Sequence, residues 1–330
     1  MTARYQIAGI GNAVMDVLSH ADDDFLDMMG IEKGIMQLVE RERAEVLYAA
    51  MDDRKQTPGG SVANTLAGLS ALGLNTAFIG LVRDDAVGRH YIEGMDAAGT
   101  AFVNPPAQNA TLPSSRSMIF VSPDGERSMN TYLGVSAELG PEDVPDEAAQ
   151  GAELLFLEGY LFDKDKGKEA FLRAARLCAE GGGKAGIALS DPFCVDRHRE
   201  DFRRLIHGDM AFVIGNEAEW IGLYQTQTLE EALTQAAREC EIVVCTRSGD
   251  PVILISGDER VEVPVHRVVP VDATGAGDQF AAGFLYGLAT GRDLATCGRM
   301  GVIAAAEVIG HIGPRPEANV RALFVKAGLL

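Results

Sequence analysis

The chain is poor in the residues that build disulfide frames and metal centres. It has five cysteines in 330 residues, Cys178, Cys194, Cys240, Cys245 and Cys297, an odd set with no CxxC spacing. This reads as reduced thiols of a cytoplasmic protein, not as a disulfide scaffold or a zinc site. The six histidines contain no HxxxH pair, which removes the commonest helical zinc motif. Positive charge is scarce: 29 lysines and arginines face 48 acids, for a net charge of -19. So acidic a chain repels nucleic acid and anionic membranes, and neither is expected as a partner. A local anion site at a helix N-terminus remains open to it. Long apolar runs are missing too. Residues 7–18 are interrupted by Asn12 and Asp16, and the stretch 302–309 carries Glu307. No membrane span and no signal peptide is expected.

What is present is an ordinary globular mixture, 47% hydrophobic and 23% charged. Patterning predicts strands at 5–12, 76–81, 154–157, 186–190, 211–214 and 242–246. It predicts helices at 22–29, 40–51, 61–72, 90–98, 166–180, 201–206, 229–238, 277–287 and 294–309. Strands alternating with helices imply a mostly parallel sheet covered on both faces, a three-layer α/β/α fold. The alternation lapses between 101 and 135, where 117–121, the turn Pro123-Asp-Gly125 and 127–132 read as a hairpin. A second small hairpin is expected at 251–255 and 260–263. An antiparallel insertion in a parallel fold can supply a lid. This one is expected to join the segment after Asp16 in a small sheet over the active site. Residues 1–12, 58–100 and 136–330 then form the large domain, and 13–57 and 101–135 the lid and acceptor-binding region.

The stretch Asp272-Ala-Thr-Gly-Ala-Gly-Asp278 carries the chemistry. Small residues at Gly275, Ala276 and Gly277 let the backbone approach a ligand, and a helix is expected to start at about Gly277. Its unpaired N–H groups and dipole then face whatever sits in the loop, as a receptor for an anion or for developing negative charge. Asp278 lies in the same first turn. An anion hole beside a carboxylate suits phosphoryl transfer, the carboxylate taking a proton from an alcohol. Other nucleotide signatures are missing. Gly9-Ile-Gly11 has Val14 where a dinucleotide fingerprint needs its third glycine, and Gly183-Lys184 is followed by Ala185, so no Walker loop exists.

The run 272–278 resembles the C-terminal signature of the ribokinase-like (PfkB) carbohydrate kinases. Gly59-Gly-Ser-Val-Ala-Asn64 resembles their N-terminal Gly-Gly signature, and Asn216-Glu-Ala-Glu219 their Asn-x-x-Glu motif. Within the family, adenosine kinases look closest. Gly11-Asn-Ala-Val-Met-Asp16 is similar to their Gly-Asn-Pro-Leu-Leu-Asp, and Phe25-Leu-Asp27, Arg127-Ser-Met-Asn130, Glu158-Gly-Tyr160 and Gly283-Phe-Leu285 follow in order. The resemblance covers nearly the whole chain. It implies a ribokinase-like fold with a small β-sheet lid, and an ATP- and Mg²⁺-dependent kinase of a primary alcohol on a ribose-like acceptor such as adenosine.

Roles follow position by position from the resemblance. Asp278 would be the base, with Gly275, Ala276 and Gly277 as the anion hole and Arg127 reaching the phosphates. Asn12, Asp16, Gly60, Ser61 and Asn64 would hold the ribose, and a carboxylate at 16 suits a vicinal diol. Met36, Met129 and Tyr160 would flank the base. Asn216, Thr246 and Gly249 would lie near ATP, and Asn216 with Glu219 would organise Mg²⁺ indirectly. Asp272 and Thr274 mark the place of a monovalent cation, potassium, in many members, although Ile312-Gly-Pro-Arg315 matches that region only in part. Ala273 and Thr274 also depart from the signatures, as does Ala13-Val14 in the first motif. The expected assembly is a monomer or homodimer. Two other readings stay open: a sugar kinase of the same fold, for fructose, ribose or a keto-sugar acid, and a binding protein without catalysis, against which the intact Gly-Ala-Gly-Asp278 speaks.

Overall fold

The computed structural model describes residues 5–265 and 268–330. The chain starts with β1 (Tyr5–Ile10) and leaves at once for a small sheet. That excursion comprises β2 (Val14–His20), α1 (Asp23–Met28), β3 (Met36–Leu38), α2 (Arg41–Ala49) and β4 (Lys55–Gly59). It returns through α3 (Ser61–Ala71), β5 (Thr76–Ile79), α4 (Ala86–Ala97) and β6 (Thr100–Phe102), then makes a second excursion as β7 (Ser115–Val121) and β8 (Arg127–Tyr132). Alternation resumes with α5 (Asp146–Gln150), β9 (Ala152–Glu158), α6 (Asp165–Glu180), β10 (Lys184–Ala188), α7 (Pro192–Asp209) and β11 (Phe212–Asn216). The chain continues through α8 (Glu217–Tyr224), α9 (Leu229–Glu239), β12 (Ile242–Arg247), β13 (Asp250–Ser256) and β14 (Glu259–Val263). It closes with α10 (Ala276–Ala289), α11 (Leu294–Val308) and α12 (Val320–Lys326).

The large sheet runs β14-β13-β12-β11-β10-β9-β1-β5-β6, parallel from β12 to β6, with β13 and β14 antiparallel at one edge. Both faces are apolar because successive side chains alternate. Ile7, Phe156, Phe212 and Val244 join a core with α3, α10, α11 and α12. Ala8, Leu155, Val213 and Cys245 join a second core with α5 to α9. This is the three-layer ribokinase-like fold.

The small sheet runs β3-β8-β7-β2-β4. Register sorts its side chains cleanly. Thr57, Asp16, Ser117, Thr131 and Leu38 lie in one row across it, and Lys55, Leu18, Ile119, Met129 and Met36 in the next, all on one face. The other face carries Met15, Val17, Met118 and Phe120. These pack with Leu26 of α1 and Leu47 of α2, and Phe25 meets Phe120 at 5.5 Å. The helices therefore cover one face and leave the Asp16 face to the large sheet. Of the segment 101–135 allotted to the lid, residues 101 and 102 sit in β6, paired to β5 at the edge of the large sheet. Likewise Asp16 lies inside β2, and β4 runs on to Gly59.

Candidate active site

The site lies at the C-terminal ends of the parallel strands, where loops leave an α/β sheet and ligands commonly bind. α10 starts there at Ala276, with Gly275 as its N-cap in a left-handed conformation (φ 80°). A Cβ at Gly275 would collide with the Pro314 backbone, so the position demands glycine twice over. The Ala276 amide is bonded back to the Ala273 carbonyl at 3.2 Å. The amides of Gly275, Gly277 and Asp278 have no acceptor among the described residues. The space beside Gly277 is open. Free amides, a helix dipole and open space together make an anion receptor.

Asp278 is held from α3. Its Oδ1 accepts from Ser61 Oγ (2.7 Å) and its Oδ2 from Asn64 Nδ2 (3.0 Å), while its carbonyl accepts from Thr65 Oγ1 (3.1 Å). Burial lifts its carboxyl to about 6, against the downward pull of Ser61, Asn64 and Arg315. A second acid, Asp16, is 8% exposed and lies against Gly59. Burial lifts it to about 7, with Arg315 and Arg127 opposing and Asp278 adding to the rise. Among the described residues, nothing donates a hydrogen bond to the Asp16 carboxyl. On the buried face that the small sheet turns to the large one, this leaves a bidentate acceptor without a donor.

A third acid belongs to this cluster. Glu158 ends β9, is 1% exposed, and is lifted by burial to about 7. Its Oε1 accepts from the amide and side chain of Asn12 (2.7 and 3.0 Å), and its Oε2 from the Val62 amide (3.2 Å). Asn12 Oδ1 in turn accepts from Ser136 Oγ (2.7 Å). Asn12 is thus tied to protein at both ends of its amide, and Glu158 locks the turn after β1 to the start of α3.

Two cavities adjoin this cluster. The smaller, about 150 Å³, is walled by Ser61, Asn216, Glu219, Thr246, Gly277 and Asp278. Asn216 caps α8 in a reciprocal box: its Oδ1 accepts from the Glu219 amide (2.9 Å), and its own amide and Nδ2 donate to Glu219 (both 2.7 Å). Burial lifts Glu219 to about 7. Gly249 is exposed in the turn between β12 and β13, away from this wall. The larger cavity, about 500 Å³, is lined by Asn12, Leu38, Thr131, Tyr132 and Tyr160, with Arg41 and Lys164 at its rim. Tyr160 donates to the Ser190 carbonyl (3.3 Å), on the wall of the smaller cavity. Of the three residues expected to flank a base, Tyr160 lines the large cavity. Met36 and Met129 share a sheet face with Leu38 and Thr131 but are not in its wall, and Met36 is 45% exposed. Gly60, with φ 100°, is the turn from β4 into α3.

Arg127 reaches from the small sheet to Asp272, with Nη2 2.7 Å from Oδ2 and both side chains 7% exposed. The contact is off the line of a hydrogen bond, so this Nη2 retains an unmet donor. Asp272 also accepts from the amides of Thr274 (3.0 Å) and Gly313 (2.8 Å). The Asp272 carboxylate is therefore engaged by two amides and a guanidinium, while the cation reading concerns the backbone around Asp272 and Thr274. Arg315 is a further residue that sequence reasoning left without a role. Its only signal was its place in the Gly313-Pro-Arg315 run.

The profile of the family described as pfkB family carbohydrate kinase matches residues 31–320. A structure from Rhizobium etli named a probable sugar kinase shares 43% identity, with a TM-score of 0.91 over 100% of both chains. The structure of an adenosine kinase from Sinorhizobium meliloti shares 42% identity, with a TM-score of 0.90 over 98% of this chain and 100% of its own. A relative from Archaeoglobus fulgidus named an uncharacterized sugar kinase is 30% identical over 255 residues, 75% of this chain and 96% of its own. The protein is a phosphotransferase with an alcohol acceptor, and with its fold, its Gly-Ala-Gly-Asp helix start and these matches it belongs to the pfkB family of carbohydrate kinases.

Proposed function

We propose that the chain is a nucleoside kinase that transfers the γ-phosphoryl group of ATP to the 5′-hydroxyl of adenosine. The observation that carries this is the 500 Å³ cavity beside Asn12 and Tyr160. Its volume lies in the range of small-molecule sites and exceeds what a free pentose needs, which leaves room for a ribose-linked purine. Asp16, which accepts no hydrogen bond among the described residues and is in the wall of neither cavity, would take the ribose diol where the ribose leaves the large cavity towards Asp278. Asp278, ionised above about pH 6, accepts the proton of the 5′-hydroxyl. The amides of Gly275, Gly277 and Asp278 face the charge that develops on the phosphoryl group. The 150 Å³ cavity is too small for a nucleotide but has room for the transferring end of one. Arg127 is paired with Asp272 and keeps an unmet donor at Nη2, which leaves it capacity for a phosphate oxygen.

The donor set fits a Mg²⁺ held through water. Glu219 is a hard oxygen donor beside the phosphoryl cavity, with both oxygens already holding Asn216 donors. When bound with ATP, the ion would neutralise phosphate charge. Asn216 and Glu219 would orient its waters.

A sugar kinase is the second reading, because the probable sugar kinase and the adenosine kinase are about equally similar to the chain, at 43% and 42% identity. A panel of adenosine, ribose, fructose and keto-sugar acids with ATP and Mg²⁺ separates the two. Adenosine should show the highest kcat/KM, and Tyr160→Ala should narrow its lead mostly by raising KM. Good turnover of a sugar with none of adenosine removes the nucleoside reading and leaves the family activity standing.

A further inference from the structure

Three consecutive residues, 313 to 315, touch nearly every part of the site. The Gly313 amide donates to Asp272 Oδ2 (2.8 Å), and the Pro314 carbonyl accepts from Gln279 Nε2 (3.0 Å). Pro314 packs against Gly275. Arg315 reaches furthest. Its Nη2 donates to the Pro58 carbonyl (2.7 Å), just before Gly59-Gly60, and its Nε donates to Asn64 Oδ1 (3.3 Å). Asn64 turns its other end, Nδ2, to Asp278 Oδ2 (3.0 Å). With a guanidinium on its oxygen, the Asn64 amide has one usable orientation. A flip would set its carbonyl against the Asp278 carboxylate and its NH₂ against Arg315.

We propose that Arg315 is a positioning residue for phosphoryl transfer, fixing Asn64 against Asp278 and supplying the counter-charge that lets Asp278 and Asp16 be ionised together. The proposal rests on the reading of Asp278 as the base. The groups that face Asp278 are Ser61 and Asn64 of α3, Asp16 of β2, Glu158 and Tyr160 at the end of β9, and Arg315. Three of these six are acids or a phenol, and Arg315 is the cation among them. Asp16 faces Arg127 of β8 as well. Burial pulls Arg315 below its ordinary value, while Tyr91 of α4, Asp16 and Asp278 hold it up. A guanidinium keeps its charge through such a shift. Without that cation, both carboxyls lose a charge that opposes the effect of burial, and each holds its proton to higher pH. Either outcome harms the reaction: a protonated Asp278 is no base, and a protonated Asp16 is a poorer acceptor for a diol.

The test is the pH dependence of kcat/KM, with whichever acceptor the enzyme turns over, for Arg315→Gln and Arg315→Lys beside Asp278→Asn. Arg315→Gln should move the acid limb upward by about one pH unit, a loss of about twofold near neutrality that approaches tenfold below about pH 6 and disappears at alkaline pH. Arg315→Lys should keep the limb in place and lower kcat, because its ammonium carries the charge but cannot reproduce the two-point hold on Asn64 and Pro58. KM for ATP should not change in either. An acid limb unmoved in a folded Arg315→Gln, or moved equally in both variants, overturns the proposal. If Arg315→Gln does not fold, Arg315→Lys decides alone, and a displaced limb in it overturns the proposal. An active Asp278→Asn overturns the base reading and this proposal with it. An inactive Asp278→Asn alongside an unmoved limb overturns this proposal only.

Discussion

Asp16 lies under conflicting forces. Its carboxyl is withdrawn from water, set near another acid and given no donor among the described residues, so burial lifts it from 3.8 to about 7. A raised acid favours the fold while protonated. The unfolded chain releases the proton near its ordinary value, so this contribution is whole below about pH 4 and is lost as pH rises towards about 7. Above that, the ionised group strains the fold. Asp16→Asn removes the titration. Its stability relative to wild type should grow by about 2–3 kcal/mol between about pH 4.5 and pH 8, as read by denaturant unfolding. A difference that stays constant with pH would show that Asp16 is not under this strain. The gain in stability should accompany a loss of activity, a trade common at functional sites. At this scale the sequence was partly legible. Asp278, Ser61 and Asn64, named from motifs more than 200 positions apart, do meet in one hydrogen-bonded cluster. Glu158 and Arg315 carried no readable role, because their meaning lies in partners far along the chain, Asn12 and Val62 for one, Asn64 and Pro58 for the other.

Among the elements, the start of α10 shows how two glycines in one motif answer to different demands. Gly275 is needed by the protein, with a positive φ and the Pro314 backbone where a Cβ would be. Gly277 has ordinary helical geometry and open space around it, so nothing in the protein requires it. Gly275→Ala should destabilise the fold by about 1 kcal/mol or more, lowering Tm, through strain and steric clash. Gly277→Ala should leave Tm unchanged or raise it slightly, since alanine is the better helix former. The same change should raise KM for ATP and lower kcat by filling the space before the free amides. If both variants lose stability alike, or Gly277→Ala keeps normal kinetics, the open space is not the phosphoryl site. Element by element, the strands and most helices follow the apolar pattern, and the three-layer fold was legible from it. Helix boundaries followed capping instead. α4 starts at Ala86 rather than His90 because Asp85 caps it, accepting from the Gly88 amide at 2.8 Å. α7 runs from Pro192 rather than 201, behind the Asp191 cap, and a break at His198 hides its periodicity. α8 escaped notice because the Asn216 to Glu219 run was read for its motif, while physically it is also the capping box that starts a helix.

For the whole molecule, the question is how the small sheet is held down. Among the described residues, Arg127–Asp272 is the one ion pair that joins it to the body of the large sheet. Both side chains are nearly buried, so the pair has lost most of its hydration, and its net worth in stability is small. Breaking it from one side is a different matter. Arg127→Ala leaves Asp272 with the Thr274 and Gly313 amides and no cation, a penalty of up to about 3 kcal/mol that falls on the arrangement in which the small sheet meets the Asp272 loop. The lid should then spend more of its time raised. Three measurements follow from that. The radius of gyration by small-angle scattering should increase without ligand, and the 123–125 hairpin turn should be cut faster by protease. Transfer to the acceptor should fall in kcat more than KM rises, since the lost contacts are those of the closed, reacting state. Hydrolysis of ATP relative to transfer should rise, because a raised lid admits water where only the acceptor should reach the phosphoryl group. Unchanged scattering together with an unchanged ratio of hydrolysis to transfer would mean that the lid is held by its apolar contacts, and that Arg127 acts on the phosphates without acting on the lid.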